Sequence, residues 1–132
     1  MSKYLLDSNV IINFLLGRKS AIFLLQDIKK IDPEPSTSPI CIAEIQLGVK
    51  ETEIDKTNLF LDSLEIFDLT KEAANLAGKY IRDYRNLGVT LNFIDTLIAA
   101  TCIVNNLVLV TFNLKHYEIS NLKLFNLENY LD

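Results

Sequence analysis

The sequence has 132 residues, of which 49% are hydrophobic and 23% are charged, and its formal net charge is -4 at pH 7. This composition predicts one folded domain over residues 1–132 and excludes an intrinsically disordered chain. The apolar runs are much shorter than the roughly 20 residues of a membrane span, and no secretory signal is visible, so we expect a cytoplasmic protein without a membrane segment. The negative charge argues against a large basic surface for nucleic acid, although an enzyme can meet phosphates through bound cations.

The first segment predicts a strand, a turn and a helix. The apolar run KYLL forms the predicted strand, and Asp7, Ser8 and Asn9 follow it directly. Their side-chain oxygens can cap the helix predicted over NVIINFLLG. An acidic side chain at the end of a buried strand must be compensated for the water it loses, so Asp7 is a candidate functional residue.

Two further helices are predicted before residue 50. The segment KSAIFLLQDIKK carries apolar residues at helical spacing, and DPEPSTSP then interrupts the packing pattern. Ser38 is the predicted N-cap of the next helix, with Pro39 in its first turn. This mostly apolar helix contains Glu44 and ends near Gly48.

The second half of the chain again alternates strands with helices. EIFDL is a predicted strand, and a long amphipathic helix runs from Thr70 to about Leu87. Asn92 is the predicted N-cap of the helix containing Asp95, and the strands LVLVTFN and KLFNL follow. This order predicts an α/β fold with a central parallel sheet flanked by helices, in which ligands bind beyond the carboxyl ends of the strands.

Four segments carry side chains that can do chemistry, and they contain Asp7, Glu44, Asp95, and Thr111 with Asn113. Each has an ordinary structural alternative: helix capping for the two aspartates, a solvated helix face for the glutamate, and a turn for the asparagine. If the segments converge, the three carboxylates repel each other and their pKa values rise unless a cation binds. Ligands that offer only oxygen suit Mg²⁺ or Mn²⁺.

Three stretches, LLDSNVIINFLLG, IAEIQLGV and IDTLIAATCIVNNLVLVTFNLKHY, resemble successive signatures of PIN-domain ribonucleases, in particular the VapC-type toxins of toxin–antitoxin pairs. The resemblance covers nearly the whole chain in the same order. It implies a PIN-like three-layer fold and an endoribonuclease dependent on Mg²⁺ or Mn²⁺, with Asp7, Glu44 and Asp95 as catalytic, metal-binding acids. It also implies a cognate VapB-like antitoxin and a homodimer.

The sequence departs from the PIN pattern at two positions. Asn113 stands where a fourth acid is often found and should bind metal more weakly or through water, and Phe112 stands where arginine is frequent. Ser8, Asn9 and Thr111 are expected to orient ligands or water, with helix capping as their alternative role. The candidate RNA contacts, which could equally be solvated surface residues, are Arg82, Arg85, Lys50, Lys115 and His116.

Other residues carry weaker predictions. Cys41 and Cys102 lie in apolar stretches without metal-ligand spacing and are expected to be small buried residues. The segments LLGRKS and RNLGVTLN are expected to select the RNA. The expected interface surfaces are apolar positions on the first helices, such as Ile12, Phe14, Phe23 and Leu24. Some of these are expected to be surplus to the core and available to an antitoxin helix.

Two other classes of function are compatible with parts of the pattern. A phosphoacceptor or haloacid-dehalogenase-like site also places an aspartate after its first strand, but it needs a second aspartate where this chain has Asn9. A catalytically weak or inactive PIN-like RNA-binding or regulatory module is the stronger alternative, because of Asn113 and the negative net charge. The RNA target, the number of metal ions and the oligomeric state are open at this point.

Overall fold

The computed structural model describes residues 2–131, which form one parallel sheet covered by helices. The strands are β1 (Lys3–Leu6), β2 (Ser36–Thr37), β3 (Glu65–Ile66), β4 (Leu107–Val110) and β5 (Lys123–Leu124). The helices are α1 (Ser8–Leu15), α2 (Lys19–Ile31), α3 (Pro39–Gly48), α4 (Ile54–Asp62), α5 (Lys71–Asn86) and α6 (Phe93–Val104). The spatial order of the strands is β3-β2-β1-β4-β5, with every neighbouring pair parallel. The predicted fold class is confirmed.

The two central strands are buried on both faces of the sheet. Leu6 and Val110 point into a core formed with α1, α2 and α4, whereas Leu5 and Leu109 point into a second core formed with α6. Because side chains alternate between the faces of a strand, an uninterrupted apolar run is what a sheet covered on both sides requires. Helix α5 packs outside α6 through small alanine side chains.

The helix starts follow the capping residues in the sequence. Ser38 accepts a hydrogen bond from the Cys41 amide at 3.2 Å, and Asn92 accepts one from the Asp95 amide at 2.9 Å, as predicted. Asp7 caps α1 through the Ser8 amide. Among the described residues, no single helix has the length and apolar composition of a membrane span, and α1 and α2 meet that test only as a pair bent by 115°.

The structure differs from the sequence predictions in the shortest elements. Strand β2 lies within DPEPSTSP, where none was predicted, and its two residues are buried and bond to β1. Ser36 Oγ donates to the Tyr4 carbonyl and Thr37 Oγ1 donates to the Leu6 carbonyl. A strand of two residues has no alternation to detect, and polar side chains that bond to the neighbouring backbone replace apolar burial. The predicted strands EIFDL and KLFNL are likewise reduced to two residues each.

The strand order determines where a ligand site can form. Strands β2 and β3 lie on one side of β1, and β4 and β5 lie on the other. The carboxyl ends of β1 and β4 therefore lie at the switch point, where the direction of strand addition reverses. Asp7 and Thr111 follow these two strands, and the Asp7 amide donates to the Val110 carbonyl at 2.9 Å. The sheet thus brings two of the predicted segments together.

The start of β1 is anchored by Asp32, which is buried at the end of α2 and accepts a hydrogen bond from the Tyr4 amide at 2.9 Å. We predict that Asp32→Ala lowers the free energy of unfolding by about 1–3 kcal/mol, because this amide loses its acceptor. The measurement is urea denaturation, with Asp83→Ala as the control, since Asp83 pairs with Lys79 on an exposed helix face and contributes little. Equal losses for the two variants would contradict the anchoring role of Asp32.

Candidate active site

The carboxylate of Asp7 is the most enclosed acidic group at the switch point, with 3% of the residue exposed. All of its hydrogen-bond donors are neutral. Oδ1 accepts from the Ser8 amide (2.9 Å) and the Cys41 thiol (3.7 Å), and Oδ2 accepts from Asn9 Nδ2 (3.2 Å), Thr111 Oγ1 (2.8 Å) and the Tyr117 hydroxyl (3.0 Å). The charge is therefore solvated by the protein without a cationic side chain.

Asn9 and Thr111 connect the ends of β1 and β4. Asn9 Nδ2 also lies 3.1 Å from Thr111 Oγ1, and its Oδ1 accepts from the Phe112 amide at 2.8 Å. The Asn113 amide donates to Thr111 Oγ1 at 3.0 Å. The residues predicted to orient the ligands thus do contact Asp7, with the exception of Asn113, which reaches it only through its backbone and Thr111. The Asn113 side chain is exposed.

Glu44 faces Asp7 from the middle of α3. Ser8 Oγ donates to Glu44 Oε1 at 3.1 Å, and ligand atoms of Asp7, Cys41 and Glu44 all lie within 4.8 Å of one another. Burial raises the pKa of Glu44, and the charges of Asp7 and Asp95 raise it further, while the Ser8 hydrogen bond lowers it. Glu44 is exposed, as the solvated-face alternative predicts, but its carboxylate also lies beside Asp7. We call Asp7, Glu44 and Asp95 the acidic cluster.

Asp95 joins this cluster from the first turn of α6. Its side chain is 16% exposed; Oδ1 lies 3.2 Å from the Tyr117 hydroxyl oxygen, and Oδ2 lies 3.0 Å from His116 Nδ1. Tyr117 stands between the two aspartates, since the same hydroxyl reaches Asp7. Burial and the neighbouring charges of Asp7 and Asp95 raise the pKa of Tyr117, so its hydroxyl stays protonated. His116, a predicted RNA contact, lies against the Asp95 carboxylate in the structure.

Two residues of the site, Cys41 and Tyr117, were not identified from the sequence. Cys41 and Cys102 are buried, as predicted, but Cys41 also contacts Asp7, and burial raises the pKa of its thiol to about 12. The spacing of Cys41 and Glu44, three residues apart on one helix, could have indicated a shared face. Tyr117 gave no such signal, because its placement depends on a turn after β4.

The donor set fits a hard divalent cation. Across residues 2–131, no lysine or arginine forms an ion pair with Asp7, Glu44 or Asp95. Three carboxylates from three separate segments thus repel each other at the end of the sheet, and oxygen ligands of this kind suit Mg²⁺ or Mn²⁺. The two aspartates also stabilise helices, because Asp7 caps α1 and Asp95 lies at the N-terminus of α6, where a negative charge is favourable. A helix-stabilising role is therefore compatible with a role as a cation ligand.

Two clefts lie near the acidic cluster. Lys115 and His116 line one of about 350 Å³, together with Tyr84 and with residues 89–92 from the predicted selectivity segment RNLGVTLN. The other, about 470 Å³, is lined by Arg18 and Lys19 of LLGRKS and by Asn13 and Phe112, which both bond to Asn9. His116 thus connects the first cleft directly to Asp95, whereas the second cleft connects to Asp7 through Asn9. The other candidate RNA contacts are exposed and have no hydrogen bond or ion pair to the three acids among the described residues: Arg82, Arg85 and Lys50.

The apolar residues proposed as surplus to the core fall into two groups. Ile12 and Phe23 are exposed, but Leu24 is fully buried and Phe14 packs against Phe60 with ring centroids 4.9 Å apart. The prediction was therefore wrong for Leu24, because α2 turns that side chain into the core shared with Leu6 and Val110. Ile12 lines a groove of about 120 Å³ between α1, α3 and the start of α4, with Leu15, Leu16, Ile45 and Val49.

The parallel sheet and its acidic switch point define a protein of the PIN class. The PIN domain family model matches residues 4–122, so the chain belongs to this family. Similar curated proteins are ribonuclease VapC2 of Rickettsia felis, 30% identical over 129 residues (93% of this chain and 96% of the relative), and ribonuclease VapC19 of Mycobacterium tuberculosis, 29% identical over 113 residues (86% and 90%).

Solved structures have the same architecture. VapBC2 from Rickettsia felis, bound to a DNA fragment from its promoter, superposes with a TM-score of 0.79 and 29% identity, covering 93% of this chain and 97% of that one. DNA-bound VapBC from Salmonella typhimurium has a TM-score of 0.82 at 21% identity, covering 96% and 99%, which shows the fold alone. The resemblance to PIN-domain ribonucleases of the VapC type, which was inferred from the sequence, is confirmed.

The raised pKa of Glu44, caused first by burial and then by the charges of Asp7 and Asp95, predicts a pH dependence of stability. The pKa of Glu44 is raised in the folded state, so the unfolded chain releases this proton at a lower pH than the folded protein does. The free energy of unfolding therefore falls as pH rises from the unfolded-state pKa to the folded-state pKa. In a chelating buffer, Glu44→Gln should gain stability relative to the unmodified protein as pH rises from about 4 to 7. Urea denaturation at several pH values measures the difference. A difference that is constant with pH would contradict the assigned pKa shift.

Proposed function

We propose that the chain is a VapC-like endoribonuclease toxin that hydrolyses RNA phosphodiester bonds with Mg²⁺ or Mn²⁺. The observation that carries this proposal is the approach of three acids at the switch point: Asp7 and Glu44 have carboxylate oxygens within 4.8 Å of each other, and the Tyr117 hydroxyl contacts both Asp7 and Asp95. Among residues 2–131, none of the three pairs with a lysine or an arginine. Its relatives in Rickettsia felis and Mycobacterium tuberculosis are named ribonucleases, which supports the same reaction class here.

The three acids would hold the cation, directly or through water. When bound, such an ion supplies positive charge that neutralises the scissile phosphate and lowers the pKa of a water molecule. Ser8, Asn9 and Thr111 hold the Asp7 and Glu44 carboxylates by the hydrogen bonds described above. In-line attack by water on phosphorus breaks the bond to the 3′-oxygen and leaves a 5′-phosphate and a 3′-hydroxyl. Asn113 would bind the cation more weakly than an acid or through water, and its backbone amide supports Thr111.

The two clefts beside the cluster suit a single RNA strand that crosses it. Lys115 and His116 on one side, and Arg18 and Lys19 on the other, offer positive or hydrogen-bonding groups for phosphates. Tyr84 gives the first cleft an aromatic wall, which suits an unstacked base. Arg82, Arg85 and Lys50 would act at most on more distant parts of the RNA.

A VapB-like antitoxin is the proposed partner, because the similar solved structure from Rickettsia felis is a VapBC2 complex. The apolar groove around Ile12 suits the nonpolar face of a helix from such a partner. The proposed site of action is the cytoplasm, where the protein would meet both the RNA substrate and the antitoxin. The proposed oligomeric state is the homodimer that the family resemblance implies.

One observation favours the alternative of an inactive RNA-binding module. Asp7 Oδ2 already accepts three hydrogen bonds, from Asn9, Thr111 and Tyr117, so the carboxylate is satisfied without an ion. For the same reason Asp7→Asn is a poor test of catalysis, because its new N–H group would face existing donors and reduce stability. Asp95 has fewer partners, and its substitution separates function from folding more cleanly.

We predict that Asp95→Asn reduces RNA cleavage by orders of magnitude in Mg²⁺ or Mn²⁺, while its stability in chelating buffer is unchanged or higher, because a charge leaves a repulsive cluster. The measurements are cleavage of total RNA with sequencing of the new 5′-ends, and thermal unfolding of the same preparations. Asp83→Asn, which alters an exposed carboxylate on α5, serves as the matched control and should cleave normally.

Excess chelator should abolish cleavage by the unmodified protein. Cleavage that persists in chelator, once contaminating ribonuclease is excluded, would exclude the metal mechanism. Normal cleavage by Asp95→Asn would remove that residue from the catalytic set and favour the binding module.

We predict that expression of the chain slows bacterial growth and that co-expression of a small antitoxin encoded beside it restores growth. Ile12→Glu should weaken that rescue, because a charge enters the apolar groove. Leu124→Glu is the control, since Ile12 and Leu124 are each 37% exposed and Leu124 lies on the edge strand β5. Growth arrest that persists although the complex forms would exclude neutralisation by that partner.

A further inference from the structure

Tyr117 connects the two aspartates of the cluster through one oxygen atom. Its ring is 1% exposed and packs in the core with Leu5, Ile98 and Leu109. The residue ends the 3-10 turn Leu114–Tyr117 that follows β4. Its hydroxyl oxygen lies 3.0 Å from Asp7 Oδ2 and 3.2 Å from Asp95 Oδ1. The buried ring thus carries a fixed polar atom to the point where β1 and α6 approach each other.

The two carboxylates depend on this hydroxyl to different degrees. Asp7 keeps four other donors, from α1, α3 and the end of β4. The side chain of Asp95, in contrast, has hydrogen-bond contacts among the described residues only to Tyr117 and His116, which are neighbours in the same turn. The orientation of Asp95 relative to Asp7 is therefore set by the turn.

A single hydroxyl carries one proton and can donate to only one carboxylate at a time. The oxygen of Tyr117 also stands between the two carboxylates, 3.0 Å from Asp7 Oδ2 and 3.2 Å from Asp95 Oδ1. This contact ties the position of Asp95 to that of Asp7. Groups that hold a metal ligand in this way typically contribute tenfold to a hundredfold in metal affinity.

We propose that Tyr117 is a positioning residue that holds Asp95 in the orientation needed to share a divalent cation with Asp7. The inference rests on the proposed function, since it takes these acids as the cation ligands. Tyr117 acts through Asp95 and Asp7, and its hydroxyl has no role in the chemical step. The 3-10 turn thereby becomes part of the active site, although it contributes no carboxylate.

The test is the affinity of RNA-free protein for Mn²⁺, measured by isothermal titration calorimetry on Tyr117→Phe. This variant keeps the ring and its packing and removes only the bridging oxygen. We expect the Kd for Mn²⁺ to rise by about tenfold or more. Tyr130→Phe is the matched control, because its hydroxyl also donates to a carboxylate, that of Asp27, outside the acidic cluster. Its Mn²⁺ affinity should equal that of the unmodified protein.

Two further measurements separate positioning from stability. Thermal unfolding in chelator verifies that both variants are folded at the titration temperature. Raising the Mn²⁺ concentration should restore RNA cleavage in Tyr117→Phe but not in Asp95→Asn, because only the latter has lost a ligand. An unchanged Kd in Tyr117→Phe, or no Mn²⁺ binding by the unmodified protein, would overturn the positioning role. Mn²⁺ binding with the expected loss in Tyr117→Phe, but no RNA cleavage, would support it and reject only the nuclease proposal.

Discussion

The buried negative charge of Asp7 is the constraint around which the structure is organised. A carboxylate removed from water needs replacement donors, and here they come from the start of α1, from α3, from the end of β4 and from the turn after it. Each of these elements must be in place for the charge to be tolerated. The same hydrogen bonds that stabilise the fold therefore also determine the shape of the acidic site.

The topology of the sheet explains why these elements meet. Parallel strands end at one edge of a sheet, and the neighbouring strands β1 and β4 are far apart in the chain. A polar residue after each strand thus reaches the same crevice, where Thr111 contacts Asp7. The N-terminus of α6 adds a favourable position for a third negative charge, and Asp95 occupies it.

The sequence predicted those parts of the molecule that depend on local rules. The caps Ser38 and Asn92, the alternation of strands and helices, and the three acids follow from spacing and from the family resemblance, and the structure brings these acids together. The contacts that were missed depend on tertiary geometry. Strand β2 is too short to show a period, and Tyr117 reads as an ordinary core aromatic until the turn places its hydroxyl between two carboxylates.

The net charge of -4 is a property of the composition, and it does not show how the charges are arranged in space. An acidic total argues against nucleic-acid binding only if charges are evenly spread over the surface. Here Asp7, Glu44 and Asp95 concentrate negative charge in one crevice, while Arg18 and Lys19 line one nearby cleft, and Lys115 lines another together with Glu118. A divalent cation held by the three acids would neutralise most of the negative charge of the crevice, so a phosphate there would meet less repulsion. Local segregation of charge, and not the total, therefore decides whether such a chain can accept a phosphate backbone.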